Sequence, residues 1–157
     1  MERDLKLNLG CGLKNLQGYI NIDNRETVKA DVIMDMCNGL KYPDDSAIEI
    51  RAYDFLEHIP QEDIVFVMQE IHRVLSKDGI LDFSVPSTDG RGWAQDPYHR
   101  SYWNINSFLY YCEPSYWELY PELPHFEILE LGDFASTEEE FKIFKVIHTK
   151  GTLRPLK

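Results

Sequence analysis

Apolar positions in the first hundred residues come in short continuous or alternating runs broken by single turn residues, a pattern that predicts strands. Residues 5–9 form an apolar-rich run stopped by Gly10, and residues 19–23 alternate before an Asn24-Arg25 turn. Val32, Ile33 and Met34 within 30–36, and Ile48 and Ile50 within 47–53, mark two more strands, because β-branched side chains fit a pleated surface. One segment changes to the helical period. Over 61–75, Ile64, Val67, Met68, Ile71, Val74 and Leu75 share a face, with Pro60, Gln61, Glu62 and Asp63 suited to the helix start. Gly79 is expected to cap its end. His72 and Arg73 fall beside the apolar stripe and read as a solvated face. A fifth strand follows at 80–85, ended by Pro86, which has no N–H for a central ladder.

Residues 47–85 thus read as strand, helix, strand, for which a parallel right-handed crossover is the natural geometry. Beyond Pro86 the texture changes. Residues 88–103 are polar and aromatic without periodicity, 106–111 suggest a short helix, and 126–131 and 141–148 suggest strands. The segment 132–140 is short enough for a hairpin, which places an antiparallel strand at one edge of the sheet. The expected class is α/β: a Rossmann-like, mostly parallel sheet of about seven strands with helices on both faces. The first crossover helix is reduced, since only residues 13–18 separate Gly12 from the second strand, whereas a parallel crossover usually takes about a dozen residues or more.

At 157 residues and 43% hydrophobic, the chain can build one core, so a single domain over 1–157 is expected. A formal net charge of −11, with Lys and Arg scattered, argues against nucleic acid and against an anionic membrane surface. The start is charged and no run of eighteen apolar residues occurs, so a soluble, cytoplasmic protein is expected. Cys11, Cys37 and Cys112 are far apart and unpaired in pattern, which suits reduced thiols. No metal is expected: a site would need three or more of Glu57, His58, Asp96, His99 and His125 to converge, and no His pair has helical ligand spacing.

The order of signals is specific. A strand ending in Leu9-Gly10-Cys11-Gly12, a second ending in Asp23, Asp35 after the third, and Tyr53-Asp54-Phe55-Leu56-Glu57-His58-Ile59-Pro60 after the fourth together resemble the class I S-adenosylmethionine-dependent methyltransferases, particularly the methyltransferase type 11 group. The similarity continues through Glu70-Ile71-His72-Arg73-Val74-Leu75 and covers most of residues 5–112. It implies S-adenosyl-L-methionine as cofactor. Gly10, Cys11 and Gly12 would bring exposed N–H groups close to the ligand, although such a turn can be only a tight turn. Asp23 would accept from ribose hydroxyls or be a strand-end turn residue. Asp35 would lie near the adenine, with Met36 and Cys37 beside it, unless it is a solvated turn carboxylate. Tyr53 and Asp54 would line the pocket near the methionine part. Glu57 and His58 either touch substrate or orient a loop.

In Asp96-Pro97-Tyr98-His99-Arg100-Ser101-Tyr102-Trp103 the chain is similar to a segment that crosses the pocket in the same group. The catalytic candidates are His99, whose pKa range suits taking a proton from a hydroxyl or amine, and Arg100, which could hold an anionic acceptor. Tyr98, Tyr102 and Trp103 could wall the site. The alternative is a packed loop tied down by its His and Arg. The implied reaction is methyl transfer to an O or N of a small-molecule, sugar or glycan-intermediate acceptor. The chain departs from the pattern in three ways: the short first crossover, no third glycine (Asn15 and Leu16 stand there), and no upstream lid helix. A more open pocket or a second subunit as lid, as in a homodimer, would follow. Two rivals stand beside this reading. One is a non-catalytic nucleoside-binding or partner module, and the other a nicotinamide-dependent oxidoreductase, which the missing third glycine disfavours.

Overall fold

A computed structural model describes residues 4–135 and 137–157. Met1, Glu2 and Arg3 of the charged start, and Ser136 of the expected hairpin segment, lie outside the described residues. Seven strands form one sheet: β1 (Leu5–Leu9), β2 (Ile20–Asp23), β3 (Val32–Ile33), β4 (Ala47–Tyr53), β5 (Leu75–Pro86), β6 (Phe126–Phe134) and β7 (His148–Pro155). Their spatial order is β3-β2-β1-β4-β5-β7-β6. The first five are parallel to one another, and β7 runs antiparallel to both β5 and β6. The chain winds outward from β1 to β3 and then returns to β4, so the order reverses between β1 and β4, where doubly wound sheets open a crevice at their carboxyl ends.

Five α-helices accompany the sheet among the described residues: α1 (Ile64–Val74), α2 (Gly92–Gln95), α3 (Ile105–Cys112), α4 (Pro114–Trp117) and α5 (Glu138–Phe144). None is long and apolar enough to cross a membrane. Across the sheet, Leu7 pairs with Ile20 and Ile50, Ile50 with Leu81, and Leu81 with Leu153, which lines apolar side chains on one face. Val67, Met68, Ile71 and Val74 of α1 are buried in the same cluster. Phe108 of α3 stacks on Phe83 with ring centroids 4.0 Å apart. The opposite face is finished by polar pairs: Lys6–Glu49 at 2.9 Å, Tyr53 Oη donating to Asp82 at 3.1 Å, and Tyr19 hydrogen-bonded to Glu49.

The short crossover after β1 contains turns and no helix. Two buried asparagines take the place of one. Asn8 Nδ2 donates to the Lys14 carbonyl at 3.0 Å and to Asn21 Oδ1 at 2.9 Å, and the same oxygen accepts the Leu16 N–H at 2.8 Å. The loop's backbone groups thereby find the partners that helical bonds would have supplied.

Several expected boundaries shift for local reasons. Helix α1 begins at Ile64, after a 3-10 turn at Gln61–Asp63, and ends at Val74 because Leu75 is already extended. Gly79 is therefore not a helix cap but a residue of β5. A Cβ there would stand 2.8 Å from the Ala47 carbonyl oxygen, beside the jump in register between Leu75 and Ile80. Of 30–36, only Val32–Ile33 is strand, because the Asp35 carboxylate accepts the Cys37 N–H at 3.0 Å and starts a 3-10 turn over Met36–Asn38. The expected strand at 141–148 is instead helix α5 followed by a strand that starts only at His148. Nor is Arg73 merely solvated: it donates to Glu70, Asp44 and the carbonyls of Leu40 and Tyr42.

Candidate functional site

The crevice at the carboxyl ends of β1, β2 and β4 holds a cavity of about 490 Å³. Gly10 and Gly12 both have the left-handed backbone that favours glycine (φ +61° and +52°). Their reasons differ. A Cβ on Gly10 would meet Phe55 Cδ2 at 2.6 Å, so its bareness admits an aromatic ring. Gly12 turns its N–H onto Asp23 Oδ2 at 2.9 Å. Between them the Cys11 N–H donates to the Ile22 carbonyl at 3.0 Å, and Cys11 is buried and does not line the cavity.

Asp23 ends β2 as a buried carboxylate that lines the cavity. Besides the Gly12 amide it accepts the Arg25 N–H and Nε at 3.0 Å each and Nη2 at 3.3 Å. Burial pushes its carboxyl up, but the Arg25 guanidinium and the two amides outweigh that and hold it below the usual range. Asp23 is therefore a charged acceptor, and its present partner Arg25 has a side chain 61% exposed.

Asp35 and Met36 line the next part of the wall beside Met34 and Ile22. Asp54 also lines it, from a left-handed backbone (φ +49°) with its N–H bonded to the Ser84 carbonyl at 2.8 Å. His148 Nε2 lies 3.4 Å from Asp54 Oδ1 and holds that carboxyl below its ordinary value. Tyr53 goes elsewhere. Its hydroxyl bonds Asp82, and its side chain lines a separate cavity of about 240 Å³ with Glu130 and Lys150.

The polar loop after β5 is stitched to the 3-10 turn Leu56–His58. The Arg100 and Ser101 N–H groups donate to the Glu57 carbonyl at 2.7 and 3.1 Å, and Ser101 Oγ donates to the Leu56 carbonyl at 2.8 Å. Asp96, Tyr98, Arg100 and His58 reach the cavity. His99 does not: its side chain is 7% exposed, with Nδ1 3.0 Å from the Trp93 carbonyl oxygen. Trp103 is buried on Phe108, and Tyr102 lies edge-on to Trp93 at the surface, so Tyr98 alone of the three aromatics lines the cavity. Glu57 is the unusual member. It is 1% exposed, and neither carboxylate oxygen has a hydrogen-bond partner among the described residues. Burial, with Asp54 and Asp96 nearby, pushes its carboxyl up to about 8.

No family model matches the chain, and no curated protein matches it. Solved structures do. An S-adenosylmethionine-dependent methyltransferase from Archaeoglobus fulgidus is 15% identical, with 97% of this chain and 86% of that one covered and a TM-score of 0.69. The [4+2]-cyclase SpnF is 17% identical over 100% of this chain and 78% of its own, TM-score 0.67. The 1,6-didemethyltoxoflavin-N1-methyltransferase of Burkholderia thailandensis, solved with bound 1,6-didemethyltoxoflavin and S-adenosylhomocysteine, is 18% identical over 99% of this chain and 72% of its own, TM-score 0.63. The chain has the class I S-adenosylmethionine-dependent methyltransferase fold.

The residues around the class I crevice fit a nucleoside sulfonium. The cavity is of ordinary small-ligand size, its wall mixes Ile22, Met34 and Met36 with the carboxylates of Asp23, Asp35 and Asp54, and that excess of negative charge suits a cation. Arg25 lines the same cavity and occupies the Asp23 carboxylate. Its part was missed in the sequence, although Asp23 followed two residues later by arginine was the available signal. Phe55 and Ile59 were also missed as lining residues, because an apolar residue after a strand reads as core.

Proposed function

We propose that the chain is an S-adenosylmethionine-dependent methyltransferase acting on an O or N of a small-molecule, sugar or glycan-intermediate acceptor. The observation that carries this is the convergence of Gly10, the buried Asp23 carboxylate that the Gly12 amide holds, and the Asp35–Met36 wall on one cavity in a class I methyltransferase fold. The cofactor supplies an already activated methyl on its sulfonium. This chain's residues would bind and orient. Asp23 accepts ribose hydroxyls as Arg25 swings into solvent, Asp35 and Met36 flank the base, and Gly10 and Asp54 shape the methionine end, with Cys11 buried behind them. Arg100 and Tyr98 face the opposite wall, where Arg100 would hold an anionic acceptor. His99, with its ring 5.0 Å from that of His58, would position His58 at the cavity wall rather than touch the acceptor.

The acidic chain with free Cys11, Cys37 and Cys112 suits a reducing cytoplasm and partners other than nucleic acid or membrane. A second copy acting as lid is the assembly we favour over the open cavity. The second reading, a non-catalytic module, draws support from Arg25 holding Asp23 and from the fold's use by a [4+2]-cyclase. Isothermal titration with S-adenosylmethionine tests the cofactor site, and single-turnover methyl transfer separates a transferase from a module that only binds. Micromolar binding that Asp23→Ala strongly weakens supports the cofactor site, and absence of binding by the wild type overturns the transferase reading. Mass spectrometry of the ligand carried through purification would identify the bound molecule.

A further inference from the structure

We propose that Glu57, His58 and His99 form a binding site for a divalent transition-metal ion, zinc by preference, in the wall of the cavity beside the cofactor position. One ligand atom from each of the three lies within 4.8 Å of the others. Three of the five residues named as candidate ligands thus converge, although no pair has the helical spacing that would announce it.

The strongest indication is the carboxylate. Glu57 is almost wholly buried, with both oxygens unpartnered, and buried polar groups are ordinarily hydrogen-bonded or bound to an ion. The backbone cannot let it escape. Leu56 is fully buried on one side, and the Glu57 carbonyl is held by the N–H groups of Arg100 and Ser101. Their side chains do not reach its carboxylate.

The imidazoles are arranged as metal-binding histidines are. His58 Nδ1 lies 3.3 Å from the Tyr98 carbonyl oxygen and His99 Nδ1 lies 3.0 Å from that of Trp93. A carbonyl can only accept, so each ring donates its Nδ1–H, and a neutral ring so held carries its lone pair on Nε2. A backbone carbonyl behind the ring is the usual means of fixing that tautomer and raising ligand basicity. Asp96 Oδ2, 3.8 Å from His99 Nε2, is close enough to supply a fourth oxygen or to orient a bound water. Two imidazoles and a carboxylate suit zinc and its neighbours, whereas magnesium and calcium prefer oxygen alone. Three protein ligands leave a position open, and it faces the cavity because His58 and Asp96 line it. An ion there would draw an acceptor oxygen or nitrogen to the side of the cavity opposite Asp23.

The test uses the full chain stripped with EDTA, titrated with zinc chloride by calorimetry and with cobalt(II) chloride by visible absorption, without S-adenosylmethionine, so that failure of cofactor binding has no bearing on it. The expected result is one ion per chain, a raised Tm, and the absorption bands of four- or five-coordinate cobalt. Glu57→Gln and His58→Ala should each weaken binding by more than the roughly 10–100-fold that loss of a merely supporting group costs. Circular dichroism in EDTA checks that each folds. Should Glu57→Gln fail to fold, His58→Ala and the wild-type cobalt spectrum decide. His125→Gln, at a second histidine stacked on Trp117, should leave binding unchanged. Absence of binding by the wild type, binding that survives in folded His58→Ala, or binding lost only in His125→Gln overturns the proposal.

Discussion

Two carboxylates sit almost fully buried along the same crevice, and their surroundings are opposites. Asp23 accepts four hydrogen bonds, two from backbone amides and two from a guanidinium, and is held below the usual carboxylate range. Glu57 accepts none and is pushed up to about 8. Burial acts in the same direction on both, so the donor set makes the difference. The sheet half of the cavity supplies donors from its own turn, since Gly12 and Arg25 flank the end of β2. The loop half spends its amides on the Glu57 carbonyl and leaves the side chain open. One region is arranged to present a charged acceptor, and the other to receive an electrophile.

The largest expected effect tests the closed half. Asp23→Ala removes the ribose acceptor and leaves the Gly12 amide and Arg25 without it. Since hydrogen bonds to a charged group are each worth about 1.5–3 kcal/mol, S-adenosylmethionine affinity should fall by two orders of magnitude or so. Calorimetry on the folded variant measures this, and an unchanged Kd would break the comparison. A near equal cost, in stability rather than binding, is expected at Gly10→Ala. The left-handed backbone and a Cβ 2.6 Å from Phe55 Cδ2 together predict roughly 2–4 kcal/mol, read as a shift of the urea midpoint. A loss under about 0.5 kcal/mol would show that Phe55 moves aside freely.

The charge state of Asp23 gives the next effect, through pH. A carboxyl whose folded pKa is depressed contributes stability that is present above its unfolded pKa and lost as pH falls through the folded one. Wild-type stability should therefore decline on the acid side of the ordinary aspartate range, and Asp23→Asn should flatten that decline. Urea unfolding across the acid limb checks the sign. A decline of the same slope in Asp23→Asn would assign the acid sensitivity to other carboxylates, among them Asp54, which His148 also holds low.

The closed half was largely legible in the sequence and the open half was not, for physical reasons. Gly10, Asp23 and the strand ends announce themselves locally, because period-2 alternation and turn residues act over a few positions. Tyr53 was misplaced by the same signal: it shares parity with Glu49 and Arg51 and so faces the polar side, while Ile50 and Ala52 face the core. β7 was placed too early because its inward residues are Thr149, Gly151, Leu153 and Pro155, of which only leucine is strongly apolar. In α5, Ile143 and Phe144 gave an apolar pattern yet remain exposed. The meeting of Glu57, His58 and His99 depends on a loop folding back over forty residues, which no local spacing records.

The smallest effect sharpens the comparison most. Arg25 occupies the acceptor that the cofactor needs, but its side chain is 61% exposed and its ion pair is therefore weak in water, on the order of 0–1 kcal/mol. If it is only a competitor, Arg25→Ala should tighten S-adenosylmethionine binding by up to about fivefold, with little change in Tm, and added salt should narrow the gap between variant and wild type. If it also contacts the bound ligand, the same substitution weakens binding at low salt, and added salt narrows that gap from the other side. Titration of both proteins at low and high ionic strength separates the two outcomes. The second would mean that Asp23 binds ribose as one half of a retained Asp–Arg pair, and that this carboxylate is never presented alone.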